Sequence, residues 1–193
     1  MFKLFKNETD TALFPPVTIF NSETRSDEIF SPLSEKEVRM YTCGVTVYDY
    51  AHIGNLRAYV FADTLKRVLL YNGYNVNSTI NFTDFGHLTS DGDTGDDKIM
   101  KGLKRENMDI SLESMRILSD KFIESFHKDV DSLNILPPTQ YARASDYVTE
   151  QIALIKTLEE KGYTYTTSDS VYFDISKFPT YGRLGNIDIE AMR

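Results

Sequence analysis

The spacing of apolar residues changes along the chain, and each change marks an element. Residues 40–47 form a run rich in β-branched and aromatic side chains, which predicts a strand; its Thr42-Cys43-Gly44 step is small enough for a ligand to approach the backbone. Ile53, Leu56, Val60, Phe61, Leu65, Val68 and Leu69 then recur at helical spacing, which predicts a helix over 54–71, and Asn72-Gly73 supplies its left-handed stop. Val76, Ser78, Ile80 and Phe82 alternate with Asn75, Asn77, Thr79 and Asn81, the pattern of a strand with unlike faces. Two strands joined through a helix of this length pair most economically in parallel by a right-handed crossover. That is half of a doubly wound α/β sheet.

Outside this centre the pattern is more broken. Before residue 40 the chain is turn-rich, with Phe14-Pro15-Pro16 and Ser31-Pro32 as breaks, and it reads as an edge hairpin rather than core. Residues 84–97 read as a polar loop with His87 embedded. Leu112, Met115, Leu118, Phe122, Phe126, Val130 and Leu133 trace one face of a long helix closed by Pro137-Pro138. A further helix is expected over 145–160, stopped by Lys161-Gly162, and a β-hairpin over 163–175 turning at Ser168-Asp169-Ser170.

The composition, 41% hydrophobic and 26% charged over 193 residues, is that of a globular chain able to bury a core without crosslinks. Setting 21 Lys+Arg against 29 Asp+Glu gives −8, which excludes a broad basic grip on nucleic acid; any such contact is local or lies elsewhere. Residues 1–8 alternate Phe and Leu with Lys and Asn and never reach the apolar run of a signal peptide or membrane span, so a cytoplasmic location and no membrane partner are expected. One cysteine, Cys43, allows neither an internal disulfide nor a metal site built from this chain's thiols alone.

Neither a G-x-x-x-x-G-K-[ST] loop nor a G-x-G-x-x-G turn is present, so a nucleotide needs another handle. His52-Ile53-Gly54-Asn55 stands where the first strand hands over to the helix. Free backbone N–H groups and the positive end of the helix dipole favour phosphate at such a place. His52 and Asn55 add side-chain donors, and Gly54 removes a Cβ from the approach. Alone the tetrapeptide is weak evidence, and a lone cysteine is most often a small buried hydrophobe.

The longer string Thr42-Cys43-Gly44-Val45-Thr46-Val47-Tyr48-Asp49-Tyr50-Ala51-His52-Ile53-Gly54-Asn55 closely resembles the signature region of the class I cysteinyl-tRNA synthetases. The likeness continues through Asn81-Phe82-Thr83-Asp84, Asp96-Asp97-Lys98-Ile99, Phe126-His127-Lys128-Asp129 with Leu133-Asn134-Ile135-Leu136-Pro137, and Phe173-Asp174 with Thr180-Tyr181-Gly182 and Leu184. It implies the amino-terminal half of a Rossmann-like nucleotide-binding fold plus part of an α+β connective insertion. The expected division is 1–110 for the first half of the catalytic domain and 111–193 for connecting helices and the insertion's hairpin.

By the same resemblance, the activity is ATP-dependent formation of cysteinyl-adenylate and transfer to tRNA(Cys), with Mg accompanying ATP. His52 and Asn55 would be the catalytic phosphate-holding pair, and Thr46 and Gly54 would join them in binding ATP. Cys43, Gly44, Thr46 and Thr83 would meet the substrate cysteine, with Cys43 as one ligand of a zinc ion that reads its thiolate. The main tRNA contacts and the remaining zinc ligands would lie beyond Arg193, so these residues alone would be inactive.

Asn55 departs from the family's usual second histidine, and the segment 85–95 separates two motifs that run together in the compact form of the family. His87, within that segment, could approach the substrate or simply sit at the surface. The segment is no calcium loop, because Asp96 and Gly102 stand where Gly and Glu are needed. Two rivals share these motifs: a cysteine ligase acting on a small-molecule amine, and a non-catalytic binding module derived from a synthetase.

Overall fold

The computed structural model describes residues 16–85, 98–185 and 187. A hairpin of β1 (Thr18–Asn21) and antiparallel β2 (Ser26–Ile29) comes first, as expected for the chain before residue 40. Then follow β3 (Glu37–Thr42), α1 (Ile53–Tyr71), β4 (Asn75–Phe82), α2 (Lys98–Arg105), α3 (Leu112–Ser132) and β5 (Gln140–Arg143). A 3-10 turn at Ala144–Tyr147 leads into α4 (Val148–Glu160), and an antiparallel hairpin of β6 (Thr164–Thr166) and β7 (Val171–Phe173) comes last. His87, Asp96 and Asp97 lie outside the described residues.

The central sheet has the order β3-β4-β5 and is parallel throughout, with Met40 opposite Ser78 and Ile80 opposite Tyr141. The expected parallel pairing of the first two core strands therefore holds. The first strand, however, starts at Glu37 and its ladder stops at Thr42 rather than running to Val47. Pairing resumes as a bridge between Thr46 and Thr83, where Val47 N–H donates to the Thr83 carbonyl at 3.1 Å. In the gap the Gly44 N–H donates to the Asn81 side-chain Oδ1 at 2.8 Å, so a side chain replaces the backbone acceptor.

β4 behaves as its alternation demands: Val76, Ser78, Ile80 and Phe82 are buried while Asn75 and Asn77 face solvent. The α1 stripe does not. Tyr59 and Leu69 are its buried residues, whereas Ile53 is 86% and Phe61 72% exposed. A helical period identifies an apolar face but not whether another element covers it. α1 stops as expected, with Gly73 at φ +79°.

The main core gathers Val47, Tyr59, Ile80, Phe82, Ile99, Leu103, Leu118, Phe122, Phe126 and Val130, drawn from α1, α2, α3 and the sheet. α3 starts with the Ser111 hydroxyl accepting the Ser114 N–H at 3.1 Å, and Leu118, Phe122, Phe126 and Val130 of its expected face point inward. Leu112 and Leu133, at its ends, are exposed. A polar clasp holds α1 to the chain entering β5. The Asp63 carboxylate accepts the Leu136 N–H at 2.9 Å, and Lys66 Nζ donates to the Pro137 carbonyl at 2.7 Å and to Ser78 Oγ at 3.0 Å.

Two elements, α2 and β5, have no counterpart in the apolar periodicity of the sequence. α2 is short, carries Gly102 inside it and follows a polar stretch of sequence; β5 reads Gln-Tyr-Ala-Arg and shows no alternation. Contacts far away in sequence hold both. Tyr141 of β5 stacks on Phe82 with ring centroids 5.2 Å apart, and Ile99 and Leu103 of α2 are almost wholly buried. α3 and β5 fall after residue 110 yet pack on the same sheet and core as the residues before it.

Candidate functional site

The site is built where parallel strands end and α1 begins, the place at which open α/β sheets bind ligands. His52 is the N-cap of α1, with extended backbone at φ −100° and ψ 169°. Its Nδ1 accepts the Gly54 N–H at 3.1 Å, and its own backbone N–H donates to Asn55 Oδ1 at 3.1 Å. This reciprocal cap satisfies helix-start donors and at the same time orients both side chains. Because Nδ1 accepts, the neutral ring carries its proton on Nε2. Because Asn55 Oδ1 is engaged, its amide nitrogen is left to donate. His52 thus keeps its Nε2–H, and Asn55 both N–H groups of its amide, as donors beyond the cap.

They line a cavity of about 210 Å³ together with Val45, Thr46, Tyr48, Asp49, Tyr50, Ala51 and Lys98. Gly54 has a local reason to be glycine: a Cβ there would lie 2.9 Å from His52 Cε1 and press on the capping ring. Gly44 is more constrained still, since its Cβ would fall 1.3 Å from the Asn81 carbonyl oxygen. The close approach at Gly44 is therefore to the neighbouring strand, which is by itself a reason for glycine at this position.

Cys43 is exposed at the end of β3 and lines a separate cavity of about 690 Å³ between β3 and α1, with Met40, Thr42, Gly54, Arg57 and Phe61 among its walls. Thr46 and Thr83 sit side by side as a parallel bridge. The structure thus brings Thr46, His52 and Asn55 to one cavity, whereas Cys43 and Gly54 open on the other. Among the described residues no group of three His, Cys, Asp or Glu side chains could hold a metal ion.

Asn81 and Asp84 belong to the Asn81-Phe82-Thr83-Asp84 string, which by itself assigns them no task. Asn81 Oδ1 accepts from both the Gly44 N–H and the Tyr41 hydroxyl, each at 2.8 Å, and so fixes the Cys43 turn. Asp84 is 4% exposed and accepts the Ser145 N–H at 3.0 Å and its hydroxyl at 2.6 Å, tying the end of β4 to the 3-10 turn after β5. A polar side chain within a strand-end motif was the available signal; the partners lie 37 and 61 residues away.

Tyr59 supports the Cys43 turn from below, its hydroxyl donating to the Cys43 carbonyl at 3.2 Å. Burial above all, helped by Cys43 and Tyr141, pushes this phenol well above its ordinary value of 10.0. The unfolded chain then releases the proton first. The associated stability is whole below about pH 10 and is lost as pH rises toward the folded-state value. Tyr59→Phe is expected to cost about 1 kcal/mol near neutrality through the lost hydrogen bond and to lose less stability between about pH 9 and 11 than the parent. Denaturant unfolding across that range checks it, and an equally steep alkaline loss in the variant would contradict the assignment.

A parallel sheet ending at a capped helix start, with small and polar residues around it, is the arrangement of a Rossmann-like α/β fold. Residues 29–193 match the family model described as tRNA synthetases class I (C) catalytic domain, and the chain belongs to that family. It is 47% identical over 173 residues to Cysteine--tRNA ligase 1 of Burkholderia lata, covering 90% of this chain and 36% of that protein. It is 44% identical to the Cysteine--tRNA ligase of Zymomonas mobilis, covering 88% of this chain and 32% of that one. The chain thus spans about a third of the length of these curated relatives. A solved Campylobacter jejuni chain, described as a candidate arginyl-tRNA synthetase, shares the fold with a TM-score of 0.52 at 16% identity, over 74% of this chain and 39% of that one. Among the described residues no helix is long and apolar enough to cross a membrane.

Proposed function

We propose that these residues form the nucleotide-handling half of a cysteine--tRNA ligase, which activates cysteine with ATP and passes it to tRNA(Cys). The observation that carries the reading is the reciprocal cap of α1, which leaves the His52 Nε2–H and the Asn55 amide N–H groups to donate in the cavity at the helix start. In the reaction a carboxylate oxygen of cysteine bonds to the α-phosphorus of ATP. The bond from that phosphorus to the bridging oxygen breaks, and pyrophosphate leaves with the electron pair. Negative charge grows on phosphate oxygens, where preorganised N–H donors and the α1 dipole stabilise it. Asn55 can serve where the family has a second histidine, because an amide both completes the cap and donates.

Thr46 borders the same cavity and Thr83 stands beside it, so the pair suits the amino acid at the strand ends. Mg, held chiefly by the phosphates, would neutralise part of their charge. Cys43 is an accessible thiol that can supply one soft ligand to a zinc ion reading the substrate thiolate, the other ligands coming from elsewhere in the protein. α4 and the β6–β7 hairpin would open the connective insertion. A cytoplasmic site of action follows from the reading.

In the native protein that carries these residues, His52→Ala is expected to slow cysteine-dependent ATP–pyrophosphate exchange at least tenfold, about 1.4 kcal/mol of transition-state stabilisation. It also removes the cap, at about 1 kcal/mol of stability. His52→Asn separates the two effects, since asparagine caps well but brings no imidazole. The expected result is restored melting with exchange still depressed. Wild-type exchange in His52→Ala would refute the role.

A further inference from the structure

The chain between β3 and α1 has little regular structure of its own, yet it forms most of the wall of the His52–Asn55 cavity: Val45, Thr46, Tyr48, Asp49, Tyr50 and Ala51 all lie on it. Arg105, in the last turn of α2, holds that segment from outside. Its Nη2 donates to the Tyr48 carbonyl at 2.7 Å and its Nη1 pairs with the Asp49 carboxylate at 2.8 Å. The other Asp49 oxygen accepts the Tyr50 N–H at 2.8 Å, so one guanidinium fixes three successive residues. A planar fork is suited to this double grip, and a lysine is not.

The grip rests on a fixed base. The Arg105 guanidinium lies 5.4 Å from the centre of the Phe122 ring, and Tyr50 meets the same ring edge-on at 5.1 Å. Gly102, one turn earlier in α2, backs onto the Tyr48 carbonyl so closely that a Cβ would sit 3.1 Å from it. α2 also begins with Lys98, which lines the cavity about two turns from Arg105. Loop and helix therefore reach the nucleotide site as one unit.

We infer that Arg105 is a positioning residue for the nucleotide half of the site, locking the 48–50 segment to α2 so that the cavity wall and Lys98 hold their places around the phosphates. Arg105 does not itself line the cavity. The inference rests on the adenylate-forming reading above. It specifies a selective defect: loosening the wall weakens ATP binding, while Cys43 and the β3 end, held by Asn81 and Tyr59, keep their places.

The test is steady-state ATP–pyrophosphate exchange on the native protein with Arg105→Met, Arg105→Lys and Asp49→Asn. Arg105→Met is expected to raise the KM for ATP about tenfold with the KM for cysteine changed less than twofold. Arg105→Lys, keeping the charge but not the fork, falls between. Asp49→Asn leaves the Tyr48 and Phe122 contacts in place and reports even where Arg105→Met folds poorly; it too is expected to raise the KM for ATP alone. An unchanged KM for ATP in Asp49→Asn, or equal rises for both substrates, overturns the inference. Absence of cysteine-dependent exchange in the wild type overturns instead the functional reading beneath it.

Discussion

Gly44→Ala is expected to destabilise the chain by about 3 kcal/mol or more, because no rotamer can relieve a collision between a Cβ and a backbone carbonyl. The added carbon would stand 1.3 Å from the Asn81 oxygen and 2.5 Å from its carbonyl carbon. Relief requires β3 and β4 to part at their carboxyl ends, which also breaks the bond from the Gly44 N–H to Asn81 Oδ1. Asn81→Ala is the matched control. It removes the side-chain bonds to Gly44 and Tyr41 without a collision and is expected to cost less, about 1–2 kcal/mol. Denaturant unfolding of both variants measures the pair, and a Gly44→Ala cost no larger than that of Asn81→Ala would show that the strands yield easily there. Since Cys43 and Thr46 flank this point, the same variant is expected to misplace both cavities.

Phe126→Ala is expected to cost about 3–5 kcal/mol, the range for removing a fully buried aromatic ring from a core. Phe126 is 2% exposed and meets Tyr59 of α1 at 5.0 Å and Phe82 of β4 at 5.6 Å, both edge-on. It therefore sets the distance between the helix that carries His52 and the strand that leads to Thr83. Phe126→Leu keeps most of the volume and is expected to lose appreciably less, since the cavity left behind is smaller. Equal losses for Ala and Leu, read from chemical denaturation, would indicate that the aromatic contacts rather than cavity volume dominate. In the native protein both variants are expected to impair exchange in proportion to their loss of stability, unlike the nucleotide-selective loss expected of Arg105.

Much of the candidate site is legible in the sequence. The strand, helix, strand order placed His52 at a helix start, and its neighbours Gly54 and Asn55 then fell within the first turn, where the reciprocal cap forms. What periodicity could not tell was the reason each glycine is there. Gly44 avoids a strand 37 residues away and Gly54 avoids the His52 ring, and these are facts about where backbone and ring lie in space.

The sequence by itself determined the local alphabet of this protein. The alternation in β4, the stops at Gly73 and Gly162 and the inward face of α3 all depend on a residue's own preferences and on neighbours within a turn or a strand. Only the tertiary structure decided the rest. α2 and β5 are too short and too weakly patterned to declare themselves, and they exist because Ile99 and Leu103 fill a core and Tyr141 stacks on Phe82. The exposed stripe of α1 shows the converse, a strong local pattern that no described element covers. Arg105 on Tyr48 and Asp49, and Asp84 on Ser145, join residues 56 to 61 positions apart. A sequence window sees the charge or the carboxylate at each position. The partner that gives it work is selected by distance in the folded chain, because hydrogen bonds and ion pairs act over a few ångströms whatever the separation along the backbone.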